Sequence, residues 1–275
     1  MVLLIAGTSI AARAQIEVSP TRVLLSMRER SREVNVLNTT DNQSEVEVEL
    51  GYKLFRYDSI GAITLDSART ELEHAKSGKE WLKIYPKRFS LPPHGSRLVR
   101  VMVTIPDSAA EGEYWGRVVV TSTPVARVNA DDTTSGIQTN LMMRLQVDLP
   151  VIIRKGAPGT GIEFDAMRGM ARADETLFLL DMHRTGNAAY RGTIRAALTG
   201  GGTEIAKVEE QYTAEFAYRQ ALHFPKLKDG GYRLAVESVS VKKGGANDAV
   251  IQSPTVSKNY GVTVSGGNVT IVPSN

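Results

Sequence analysis

Along most of the chain, apolar and polar residues alternate with a period of two. Val34-Asn35-Val36 and Val46-Glu47-Val48-Glu49-Leu50 place apolar side chains on one face and polar ones on the other, the pattern of a half-buried strand. Further short runs of this kind occupy residues 98–105, 114–121, 141–153, 177–182, 193–198, 232–241 and 260–264. Turn formers separate them, among them Asn38-Thr39-Thr40-Asp41-Asn42, Pro92-Pro93-His94-Gly95, Ala130-Asp131-Asp132, Gly200-Gly201-Gly202 and Asp229-Gly230-Gly231. Many short strands at this spacing predict antiparallel sandwiches. One stretch, 66–79, has a helical look, but its apolar residues are too few to bury a face. It is expected to be an exposed loop or a short surface helix.

The long run at 141–153 stops at Arg154-Lys155-Gly156-Ala157-Pro158-Gly159-Thr160-Gly161, where glycine and proline take over. That predicts an N-terminal domain over 16–155 and a C-terminal domain over 160–275, each sized for a sandwich of about seven or eight strands. Ser265-Gly266-Gly267 reads as a Gly-Ser-rich tail. At the other end, Val2-Leu3-Leu4-Ile5-Ala6 leads to Ala12-Arg13-Ala14, the small-x-small pattern of a signal-peptidase site. A signal peptide over 1–14, cleaved after Ala14, is expected, although no positively charged stretch precedes the apolar run. The alternative is a buried first strand.

Composition narrows the chemistry. With 275 residues, 42% hydrophobic and 23% charged, the chain can bury a core without covalent staples. It has no cysteine, which excludes disulfides, thiolate zinc sites, iron–sulfur clusters and a cysteine nucleophile. The net charge of +3 comes from scattered basic residues, so no nucleic-acid partner is expected. No run after the leader reaches the ~18 apolar residues of a membrane span, so no membrane insertion of the mature chain is expected.

The four histidines, His74, His94, His183 and His223, lie far apart without metal-ligand spacing. The segment 156–161 lacks the Gly-Lys-Ser/Thr ending of a phosphate loop and reads as a hinge, and no Gly-x-Ser-x-Gly elbow occurs. A protein that is not an enzyme, with no metal and no cofactor, is expected.

The N-terminal domain carries a resemblance. Ile16-Glu17-Val18-Ser19-Pro20-Thr21-Arg22-Val23-Leu24-Leu25 opens it. Pro86-Lys87-Arg88-Phe89-Ser90-Leu91-Pro92-Pro93-His94-Gly95-Ser96-Arg97-Leu98-Val99-Arg100-Val101 follows. Glu113-Tyr114-Trp115-Gly116-Arg117-Val118 and the long run 140–154 complete the series. In order and spacing these segments resemble the PapD-like periplasmic chaperones of the chaperone–usher pathway, which assemble pili and fimbriae. The resemblance spans most of 16–155; the C-terminal domain resembles the family only in being a second immunoglobulin-like sandwich. It implies an all-β fold of two immunoglobulin-like sandwiches in an L-shaped arrangement behind a signal peptide. It implies a periplasmic location, secreted pilin-like subunits as partners and an outer-membrane usher for delivery.

The resemblance further implies that the long strand is lent to an incomplete client subunit by β-strand addition. Leu141, Met143 and Leu145 lie at i, i+2 and i+4 on one face, where the family's donor residues stand. Methionine suits a donor that meets several grooves. Val147, Leu149, Val151 and Ile153 continue the same parity and read as a core face.

Arg22 matches the family's cleft arginine, which with a lysine on the long strand anchors the client's terminal carboxylate. A planar guanidinium suits that task because it offers two parallel charge-assisted bonds. Here Pro150 stands at the lysine's place, so the two-cation anchor is incomplete. Arg154 matches an arginine that braces the two domains through carboxylates, with Glu111 or Glu113 as its partner. A competing reading from another class is a non-catalytic structural or adhesive module of the cell envelope, for which the missing lysine is no loss.

Overall fold

A computed structural model describes residues 15–125, 143–241 and 250–274. The chain is nearly all β and divides into two compact units. The first holds the described residues within 1–51, 79–104 and 116–151; the second holds 52–78, 105–115 and the described residues from 152 onward.

In the first unit one sheet runs in the order β1 (Ile16–Ser19), β3 (Ser31–Asn38), β9 (Ser96–Val103), β7 (Leu82–Tyr85). The other runs β2 (Val23–Ser26), β11 (Leu145–Lys155), β10 (Gly112–Pro124), β4 (Ser44–Gly51), β8 (Arg88–Leu91). The period-two pattern explains the layers. Val34 and Val36 on β3, Val46 and Val48 on β4, and Val99 and Val101 on β9 are all buried, while their polar neighbours point outward. Antiparallel pairing of β4 with β10, Gly51 opposite Arg117 through Ser44 opposite Pro124, sets Val48 opposite Val120 on the core side. The turn after β3 is organised by Asn38, which is buried. Its amide donates to Asn42 O at 2.7 Å and Pro92 O at 3.0 Å, and its Oδ1 accepts from Thr40 N at 3.1 Å.

The second unit encloses its core between a sheet of β12 (Thr160–Ala171), β13 (Glu175–Gly186) and β16 (Ala217–Pro225) and a sheet in the order β15 (Thr203–Ala214), β14 (Tyr190–Gly200), β17 (Gly230–Ser240), β18 (Val256–Ser265), β19 (Asn268–Ser274). Ser265-Gly266-Gly267 is no tail. Gly266 at φ 54° and Gly267 at φ 82° form the turn between β18 and β19, and two consecutive positive φ values are what a two-residue hairpin of this hand requires. Strand β15 escaped the sequence reading because it is an edge carrying Glu204, Lys207, Glu209 and Glu210, so little apolar alternation marks it.

The second unit also takes in residues 52–78 and 105–115, which precede the glycine- and proline-rich segment. A hairpin of β5 (Leu54–Tyr57) and β6 (Ile63–Asp66) packs with the second unit. Phe55 N donates to Glu215 Oε2 at 3.2 Å, the Tyr57 ring lies 4.5 Å from that of Tyr218, and Arg219 donates to Asp58 O at 3.0 Å. Such pairings across more than a hundred residues are invisible to a local reading.

The 66–79 stretch contains one helical turn, α1 (Glu71–His74), capped by Thr70 in a capping box with Glu73. It is more than a surface loop, because Glu73 is 7% exposed. Arg56 donates to both of its oxygens, at 2.6 and 2.8 Å. Its carboxyl is held at about 2, below the ordinary 4.5, chiefly by the hydrogen bonds from Arg56 and further by the Arg69 and Thr70 N–H groups, against the opposing effect of burial.

A depressed folded-state value means that the stabilisation is complete above 4.5 and is lost as pH falls toward 2. Glu73→Gln is therefore expected to cost roughly 2–4 kcal/mol near neutral pH. The difference from the parent should close at about pH 2. Urea unfolding of both proteins at the two pH values measures it.

Candidate functional site

Strand β11 lies between β2 and β10 in its sheet. Leu149, Val151 and Ile153 are buried at 2%, 0% and 0% exposure, so this half of the strand is core, as its parity indicates. Toward its N-terminal end the burial falls away. Val147 and Leu145, the first residue of β11, are half-buried, and Met143, two residues before the strand, is 57% exposed. Of the three expected donor residues, Leu141 lies outside the described residues. Beside Met143, Arg144 lies 3.9 Å from Glu47, which Arg88 also engages at 2.6 Å. Surface pairs of this kind contribute little to stability, but they put charge on the rim of an exposed apolar residue.

Arg22 sits in the bend between β1 and β2, is exposed, and forms no ion pair among the described residues. The strand it precedes, β2, is the sheet neighbour of β11. Pro150 is half-buried between the buried Leu149 and Val151. It contributes neither charge nor N–H at that position.

Arg154 and Glu113 are brought together. Glu113 is fully buried and accepts from Arg154 Nε at 3.0 Å through Oε2. Its Oε1 accepts from Trp115 Nε1 at 2.8 Å, Arg191 at 3.2 Å and Ala189 N at 3.3 Å. One carboxylate thus serves two arginines, an indole and a backbone amide, the satisfied arrangement that a buried charge requires. Glu111 takes no part in this cluster. It is exposed, and its carboxyl crowds Gly156, where an added Cβ would stand 2.3 Å from Glu111 Cδ. All these residues belong to the second unit.

The sequence reading missed Arg191, Arg184 and Lys76, which surround the same region. No local signal could have found them, since topology alone brings residues 76, 113, 154, 184 and 191 together. Three histidines each meet a carboxylate: His94 with Asp41 at 2.8 Å, His183 with Asp165 at 2.6 Å and His223 with Glu175 at 2.8 Å. Among the described residues no group of three or more His, Asp or Glu is arranged to hold a metal ion, and no helix is long and apolar enough to cross a membrane.

No family model and no curated protein matches the chain. Solved structures do show likenesses. The YadV chaperone is 12% identical, with a TM-score of 0.45 over 89% of this chain and 100% of that one. A structure of the Salmonella enterica SafA pilin in complex with the SafB chaperone gives 13% identity and a TM-score of 0.44 over 88% of this chain and 94% of the matched chain. The Pseudomonas aeruginosa CupB2 chaperone gives 8% and 0.43 over 88% and 98%.

Proposed function

We propose that this protein is a non-catalytic periplasmic chaperone. It holds secreted, pilin-like β-sandwich subunits by donor-strand complementation and delivers them to an outer-membrane usher for assembly. The observation that carries this reading is the 57% exposure of Met143 at the approach to a long strand whose other half is core. An apolar side chain left outside its own sheet, on the parity of Leu141 and Leu145, is free to enter a client's groove. Main-chain hydrogen bonds then supply affinity and the alternate side chains supply fit. Arg22, exposed at the start of the neighbouring strand, acts as a single-cation anchor for the client's terminal carboxylate, with Pro150 in place of a second cation. Export places the mature chain, from Gln15, where such clients fold, and completion of the client's own fold drives release without nucleotide.

Affinity capture from the periplasm tests this. The bait is residues 15–275, and the comparison bait carries Leu141→Ser, Met143→Ser and Leu145→Ser. The first is expected to retain small secreted β-sandwich subunits one to one and the second to retain none; Arg22→Ala should weaken retention by about tenfold or more, the loss of a charge-assisted bidentate bond. Equal recovery on both baits would refute strand donation.

A further inference from the structure

We propose that Lys76 and Arg184 form a half-buried binding site for a carboxylate or phosphate oxyanion in the second unit, separate from the segment assigned to client binding.

The geometry begins at the turn after β13. Lys76, two residues past α1, donates from Nζ to Asn187 O at 3.2 Å and lies 5.1 Å over the Tyr114 ring. It reaches that carbonyl because Gly112 has no side chain; a Cβ there would stand 3.2 Å from the ammonium and 3.1 Å from the carbonyl oxygen. Arg184 donates from Nε to Glu215 O at 2.6 Å and from one terminal nitrogen to Gly186 O. Its guanidinium stands 5.3 Å from the Phe216 ring and 5.9 Å from that of Trp115. Two cationic heads are therefore tied to the carbonyls of consecutive residues, Gly186 and Asn187.

Among the described residues neither head forms an ion pair. Glu113, the carboxylate whose charge acts on both, is already filled by Arg154, Arg191, Trp115 and Ala189. Burial lowers the proton affinity of both cations, and the charge of Arg184 adds to the effect on Lys76. Two partly desolvated like charges held close create a positive potential that an anion relieves.

The free donors suit an oxyanion. Arg184 has N–H groups left on its terminal nitrogens in a planar fork, and Lys76 has two ammonium hydrogens left. Carboxylate and phosphate both accept such bonds, whereas chloride accepts them without matching the fork. Trp115, against Arg184, makes the site observable.

The chain has two tryptophans, so Trp81→Phe leaves Trp115 as the single reporter. This protein is titrated with potassium phosphate and, separately, with potassium acetate, each against potassium chloride at matched ionic strength. Trp115 fluorescence and the thermal midpoint are read. A saturable fluorescence change and a raised midpoint with phosphate, acetate or both, absent with chloride, are expected, and the more effective salt names the ligand class. Lys76→Met and Arg184→Met should each weaken that binding by about tenfold or more, while Arg168→Met, which removes from β12 a partner of Asp181, should not. If Arg184→Met unfolds, Lys76→Met decides, since its side chain is half-buried beyond the end of α1. Identical titrations in parent and Lys76→Met, or a chloride response equal to the others, would overturn the proposal.

Discussion

Glu113→Ala is expected to lower the unfolding free energy by about 3–5 kcal/mol, the loss seen when one partner of a buried ion cluster is removed. The substitution leaves Arg191 and Arg154, with side chains 8% and 17% exposed, without their carboxylate. It also orphans Trp115 Nε1 and Ala189 N, each an unsatisfied donor in a buried place. Against a total stability of about 5–15 kcal/mol for a domain, that is a large fraction.

The charge itself is separable from the hydrogen bonds. Glu113→Gln keeps an acceptor for Trp115 and Ala189 but loses the attraction for both arginines, so an intermediate loss is expected. Replacing the cluster with apolar residues, Glu113→Leu with Arg191→Met, should recover part of the loss of Glu113→Ala, because a desolvated pair is often no better than a packed apolar one. Urea unfolding followed by circular dichroism and tryptophan fluorescence gives all three values. A loss below about 1 kcal/mol for Glu113→Ala, the range of exposed pairs, would show that water reaches the arginines and that the cluster is no structural brace.

The second large effect belongs to the core between the two principal sheets of the second unit. Phe178 is fully buried and meets Phe224 edge to face, with ring centroids 5.6 Å apart and planes at 76°. Phe178→Ala is expected to cost about 3–5 kcal/mol, the transfer free energy of the ring plus the cavity it leaves. A double-mutant cycle with Phe224→Leu should return a coupling of about 0.5–1.5 kcal/mol for the aromatic pair. Met143→Ser supplies the contrast, with an expected change within about 0.5 kcal/mol, since an exposed side chain outside a strand loses little on truncation. Measured together, the two substitutions separate residues that hold the fold from residues left free to act on a partner. A Met143→Ser loss comparable to that of Phe178→Ala would mean that Met143 is core and unavailable to a client.

Much of this architecture was legible because a strand's period of two is local. Val34, Val36, Val46 and Val48 announce their faces within a few residues, and the turn at Asn38 does the same through a side chain that bonds its own neighbours. Two of the strands that local reading missed lie at the edges of the second unit's larger sheet. Strand β15 has charge along both faces of an edge, and β19 begins behind two glycines that look like a tail until their positive φ values make them a hairpin turn.

The places of two segments were not legible either. The hairpin 54–66 and the segment 105–115 stand in sequence among first-unit strands. They join the second unit through Phe55 to Glu215, Tyr57 to Tyr218 and Glu113 to Arg191.

By itself, then, the sequence determined that the chain is all β and stapled by no disulfide. It also marked the long strand with an apolar face and the arginine that precedes the second strand. Only the tertiary structure decided that Glu113 rather than Glu111 meets Arg154, that Arg191 shares it, and that Lys76 and Arg184 come together at the turn 186–187. The physical reason is range. Alternation and turn chemistry act between neighbours, whereas the partner of a buried charge is set by which strands pair and which loops they carry across the sheet.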